Sequence, residues 1–154
     1  MSIIVPRLDA HFEARVAASA MREPKLAAYN VGRCVRDSWY AAHGYVPRQQ
    51  SVESKRTTER GQALERWLVG RICEAIPEAR RAEWKDDQDK RACPPLSGRV
   101  IADAFVRVDG VEIPIDVKTL GDYPFEKAST GDIGRPYAWQ LECYARAYDA
   151  PFAL

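Results

Sequence analysis

Arg99-Val-Ile-Ala-Asp103-Ala-Phe-Val-Arg-Val108-Asp-Gly110-Val-Glu-Ile-Pro-Ile115-Asp-Val-Lys118-Thr-Leu120 is the stretch that decides the fold. Two β-branched, apolar runs, Arg99 to Val108 and Val111 to Leu120, flank Asp109-Gly110. Asp-Gly suits a two-residue hairpin turn in which both positions need positive φ. The stretch therefore predicts two antiparallel neighbours. Asp103 stands six residues before Asp109 and Asp116 six after Gly110, so a tight turn sets the two acids opposite each other. Strand alternation assigns Ile113, Ile115 and Val117 to the core face and Pro114, Asp116 and Lys118 to the other. It separates Asp116 and Lys118 by about 7 Å along the strand.

An acid inside such a strand has low β-propensity and is costly to bury unpaired. Two opposed carboxylates repel each other unless a cation lies between them. Mg²⁺ is the natural cation, because it prefers hard oxygen ligands. An Asp116–Lys118 ion pair, with Asp103 at an exposed edge, is the alternative that the hairpin alone leaves open.

Around the hairpin the pattern is helical. Thr57 to Ile76 predicts a long helix, capped by Thr57 or Thr58 and stopped by Pro77. Its apolar stripe is Leu64, Leu68, Ile72 and Ile76, with Trp67 beside it. Glu65 falls on the margin of that stripe, either serving the site or pairing with Arg60 or Arg66. Pro136 to Tyr148 predicts a helix with proline near its first turn. Gln140 and Tyr144 share one of its faces, an arrangement that packing alone also explains. Further helices are expected over Leu8 to Met21 and from Asn30 to near Gly44. Arg80 to Gln88 reads as a short strand around Ala82 and Trp84. Residues 45–56 and 121–135, and Cys93 to Gly98, read as loops. Pro151 to Leu154 reads as the start of a strand that is cut off, as in a truncated protein.

The 154 residues suit one domain. Apolar residues make up 46% and charged residues 29%, with no apolar run of about 18 residues to span a membrane. Met1 to Pro6 lacks the basic flank and cleavage site of a signal peptide, so a cytoplasmic location is expected. Cys34, Cys73, Cys93 and Cys143 form no C-x-x-C unit and read as free thiols of a reducing compartment. The net charge of +1 divides unevenly: residues 1–71 hold twelve Lys/Arg against seven Asp/Glu, and residues 72–154 hold eleven against fifteen. A basic half beside an acidic half suits a protein that grips phosphate with one part and metal with the other. No Gly-rich phosphate loop or Ser/His/Asp pattern points to a small-molecule enzyme.

In chain order the polar positions are Gly61-x-x-x-Glu65, Asp103, Asp116-Val-Lys118 and Gln140-x-x-x-Tyr144. This order and spacing resemble the PD-(D/E)XK nuclease superfamily, in its RecB-like branch of phage lambda-exonuclease-like and CRISPR-associated exonucleases. Gly32-Arg-Cys-Val-Arg-Asp-Ser-Trp-Tyr40 is similar to a segment near the start of several RecB-like proteins. The resemblance covers residues 30–148.

It implies an α/β fold: a central mixed β-sheet flanked by helices, the restriction-endonuclease-like core, with an N-terminal helical extension. Residues 1–154 would form one nuclease domain, with 1–50 as a DNA-gripping helical part and 57–154 as the catalytic core. The implied activity is Mg²⁺-dependent DNA hydrolysis, as an exonuclease in phage or bacterial recombination, repair or CRISPR adaptation, with Mn²⁺ as a substitute ion. Glu65, Asp103, Asp116, Lys118, Gln140 and Tyr144 would be the catalytic set. Glu65, Asp103, Asp116 and the Val117 carbonyl would bind metal, and Arg33, Arg36, Lys55 and Arg56 would contact DNA. Some relatives carry an iron–sulfur cluster. Cys34 matches its early ligand, but the late trio has no counterpart, so none is expected here. Expected partners are DNA and a second copy of the chain or a recombination or adaptation protein. A catalytically weak DNA-binding or assembly subunit with the same fold is the alternative.

Overall fold

The computed structural model describes residues 10–14, 28, 34–43, 51–83, 88–94, 96, 99–120 and 122–154. Of the first expected helix only residues 10–14 are described, and they are helical. Helix α1 spans Val35–Ala42 and α2 Val52–Ala75. Strands β1 (Ala79–Arg81), β2 (Arg91–Ala92), β3 (Arg99–Val100), β4 (Ala104–Val108) and β5 (Val111–Ile115) follow, then α3 (Asp122–Ser129) and α4 (Arg135–Ala147). Helix and antiparallel sheet are thus combined. One sheet has the order β1-β4-β5, and β2 and β3 form a separate two-stranded ladder.

The turn behaves as its residues require. Asp109 and Gly110 both take positive φ, at 50° and 84°, the backbone twist that matches the flanking strands. Val108 faces Val111, and the register runs on to Ala104 opposite Ile115. Phe105 and Ile113 are fully buried. Ala104 and Phe105 are adjacent and both buried, so the central strand β4 is covered on both faces, as is β5 at Ile113 and Pro114.

Several boundaries differ from the sequence expectation. The run from Arg99 to Val108 is two strands, because β3 pairs with β2 while β4 pairs with β1 and β5. Asp103 lies at the break rather than inside a strand, and Asp116 lies just past the end of β5. Helix α2 starts five residues before Thr57. Ser51 caps it, accepting a hydrogen bond from Ser54 N–H at 3.1 Å, and Glu53 complements the helix dipole in the first turn. The expected strand around Ala82 is β1, shifted earlier by its pairing with β4; Trp84 is outside the described residues. Residues 122–129, read as loop, form α3; Pro124 falls in its first turn, where a missing N–H is tolerated.

The α2 stripe is rotated. Leu64 and Ile76 are exposed and Trp67 is 61% exposed, while Val69 is buried and Gly61, Glu65, Leu68 and Ile72 are half-buried. Glycine explains the choice of face: a Cβ at Gly61 would meet Thr119 Oγ1 at 2.9 Å, so α2 approaches the end of the hairpin through its smallest residue.

The last residues run beside β5. Leu154 N–H donates to Pro114 O at 2.9 Å, and Asp116 N–H donates to Leu154 O at 2.8 Å. One residue bonded to both neighbours of Ile115 is the spacing of a parallel pairing. No helix among the described residues is long and apolar enough to cross a membrane.

Candidate active site

Backbone chemistry aims the two acids. Asp103 N–H donates at 2.9 Å to the carbonyl of Ile115, the residue that Ala104 already faces, so the paired ladder stops at Ala104 and Ile115. Asp103 and Asp116 each stand one residue beyond that last pair, at the same end of the hairpin, but the register of the turn does not run on to pair them. The Asp103 carboxylate then accepts the Val117 N–H at 2.8 Å. Burial pushes the Asp103 pKa up; the Val117 hydrogen bond opposes this, and the charge of Asp116 and, more weakly, of Glu65 adds to it.

Lys118 Nζ lies 2.6 Å from Asp116 Oδ2. The ion pair weighed from the sequence is thus present. Asp103, however, is half-buried at the site and not on an exposed edge. On the other side of Asp116, helix α4 presents Gln140 and Tyr144, both buried. Gln140 Nε2 donates to Tyr144 Oη at 2.8 Å and reaches Asp116 Oδ1 at 3.5 Å. Burial first, and the Asp116 charge second, raise the Tyr144 pKa well above that of a free phenol. Tyr144 therefore stays protonated. Gln140 is only 7% exposed; in this arrangement its amide serves Asp116 and Tyr144 rather than an outside ligand.

Glu65 enters from α2. Its partner is Thr119, whose hydroxyl donates to Glu65 Oε1 at 3.5 Å, and not Arg60 or Arg66. The close approach at Gly61, one turn earlier, makes that contact possible. The structure thus gathers Asp103, Asp116, Val117, Lys118, Gln140 and Tyr144, with Glu65 at the rim.

The basic residues divide. Arg36 and Arg56 are exposed, with the Arg56 guanidinium 5.4 Å from the Phe12 ring centre. Lys55 departs from the expectation of an exposed DNA contact: it is 9% exposed, and its ammonium lies 3.9 Å from Glu59 one turn along α2. The earlier start of α2 turned this residue inward. Arg33 lies outside the described residues.

Among the described residues no group of three or more His, Cys, Asp or Glu side chains forms a metal cluster. The oxygen donors at the site are two neighbouring carboxylates and the adjoining main chain. That set fits Mg²⁺, an ion commonly held by one or two carboxylates while it keeps several waters. A cation there would relieve both the repulsion and the burial cost that raise the Asp103 pKa.

Sequence reasoning missed three supports. Thr119 ties Glu65 to the hairpin. Arg80 grips Glu112 at 2.7 and 2.9 Å and Asp89 at 2.7 and 3.1 Å, with its guanidinium 4.3 Å from the Phe105 ring centre. Tyr148 donates to the Asp89 carbonyl. Only Tyr148 carried a signal, standing four residues after Tyr144 on the same helical face. No family model, curated protein or solved structure matches the chain.

Proposed function

We propose that this chain is a Mg²⁺-dependent deoxyribonuclease of the PD-(D/E)XK kind, acting as an exonuclease, with a mixed central sheet as its core. The observation that carries the reading is the end of the hairpin, where the Asp103 carboxylate accepts the Val117 N–H and feels the charge of Asp116, with Lys118 two residues on from Asp116. The convergence of Glu65 from α2 and Gln140 and Tyr144 from α4 supports it. The parallel hydrogen bonds of Leu154 beside β5 support a mixed sheet.

Asp103, Asp116 and the Val117 carbonyl would hold the ion, with Glu65 reaching it through water. When bound, it supplies positive charge to a phosphate oxygen and lowers the pKa of a water. Lys118 orients the attacking water and offsets charge developing on the phosphate, moving from Asp116 to do so. Gln140 and Tyr144 keep the Asp116 carboxylate aimed. Water adds to phosphorus and the bond to the 3′ oxygen breaks, leaving 5′-phosphate and 3′-hydroxyl. Arg36 and Arg56 contact the DNA backbone, so binding weakens with salt.

Cleavage of end-labelled linear and closed circular DNA, double- and single-stranded, with Mg²⁺ is the test. Asp116→Ala and Lys118→Ala are each expected to slow cleavage by about 100-fold or more; unchanged rates in both would refute the assignment. Degradation of linear but not circular DNA is expected of an exonuclease. The 2.6 Å Asp116–Lys118 pair favours one second reading, a DNA-binding or assembly subunit whose acid is neutralised by its own lysine. That subunit would bind DNA without Mg²⁺-dependent turnover.

A further inference from the structure

Between β3 and β4 the chain changes sheets. Val100 pairs with Arg91, whereas Ala104 pairs with Arg81 and Ile115, so Ile101 and Ala102 belong to neither ladder. Ala102 is fully buried, and a buried N–H without a strand partner needs another acceptor. The Tyr148 hydroxyl, 3.2 Å away, is that acceptor. The same hydroxyl donates to the Asp89 carbonyl. Its ring meets Phe105 edge-on with centroids 4.9 Å apart, and Tyr148 packs against both buried clusters. Tyr148 caps the C-terminal end of α4, one turn past Tyr144. The residue after Ala102 is Asp103, whose main chain is held at both ends, by Ile115 O on its N–H and by Ala82 N–H on its carbonyl.

We infer that Tyr148 is a positioning residue for Asp103. Its hydroxyl fixes the segment between the two ladders, and so the direction in which the Asp103 carboxylate meets Val117 N–H and Asp116. It also ties that segment to the helix that carries Gln140 and Tyr144. The consequence for metal binding rests on the nuclease reading; the consequence for the position of Asp103 does not.

Tyr148→Phe keeps the ring against Phe105 and deletes the hydroxyl. Amide hydrogen exchange followed by NMR on the metal-free protein reads the result. The Ala102 and Val117 amides are expected to exchange about tenfold faster, while the amides of the β4–β5 ladder near Val106 and Ile113 keep their protection. A merely structural role would lower protection throughout. Unchanged protection at Val117, or a loss only in step with the ladder, would overturn the inference. In parallel, Mn²⁺ affinity measured by electron paramagnetic resonance is expected to fall about tenfold. Wild-type protein that binds no Mn²⁺ while Tyr148→Phe still frees Val117 would count against the nuclease reading and leave Tyr148 as the positioning group. Equal Mn²⁺ affinity in both proteins, with Val117 unchanged, would count against Tyr148.

Discussion

Gly61→Ala tests how Glu65 reaches the site. In a helix interior alanine is favoured over glycine by about 1 kcal/mol. Here the added Cβ would stand 2.9 Å from Thr119 Oγ1, and overpacking of that kind costs about 1–3 kcal/mol. The β-branched Thr119 can relieve it by turning its hydroxyl away, which gives up the 3.5 Å bond to Glu65. The single substitution should therefore be neutral to destabilising by about 2 kcal/mol. In a Thr119→Ala background Oγ1 is gone, and the same change should stabilise by about 1 kcal/mol. The two sites are thus coupled by about 1–3 kcal/mol. Urea unfolding of the wild type, both single variants and the double variant at pH 7 measures the cycle. Additivity within about 0.5 kcal/mol would refute the contact as the reason α2 turns Gly61 and Glu65 inward. If Glu65 serves the metal, Gly61→Ala should also raise the Mg²⁺ concentration needed for half-maximal cleavage.

Other substitutions separate structural from site electrostatics. Arg80→Met would remove the cation bonded to Asp89, which is buried, and leave Glu112 with only the longer 3.7 Å pair to Arg107. Because the Arg80 side chain is 41% exposed, the loss is discounted for screening to about 2 kcal/mol by urea unfolding. Hydrogen bonding to Arg80 holds both carboxyls below their ordinary range. Their contribution is therefore present above about pH 4.5 and lost as pH falls through the folded values; the Arg80→Met deficit should shrink in acid and not in base. Asp103 has the opposite sign: its raised pKa makes the ionised form a cost that appears as pH rises through the folded value. Asp103→Asn should raise the melting temperature of metal-free protein at pH 7 by about 2–4 °C, have no such effect at pH 3, and abolish Mn²⁺ binding. Thiol labelling at pH 8 should mark exposed Cys34 first. Cys143, whose pKa is pushed up to about 11 by burial and by neighbouring Cys93, should react only on unfolding.

Some of this was legible in the sequence because it depends on local backbone chemistry. Asp109-Gly110 dictates a two-residue turn, and the turn dictates the register from Val108 and Val111 to Ala104 and Ile115, which brings Asp103 and Asp116 to the same end of the hairpin. Pro136 near the start and the i, i+4 spacing of Gln140 and Tyr144 likewise located α4 and its buried face. Tertiary structure decided whatever depends on a distant partner. β3 leaves the hairpin to pair with β2, which puts Asp103 at a break instead of inside a strand. Contact with Thr119 turns Gly61 inward and Trp67 outward, against the apolar stripe. The Lys118 ammonium meets the Asp116 carboxylate beyond the last pair of the hairpin ladder. Arg80 meets Glu112 32 residues away, and Tyr148 meets Ala102 46 residues away. Residue spacing encodes what the backbone does within a few positions, whereas these contacts exist only after sheets and helices have packed.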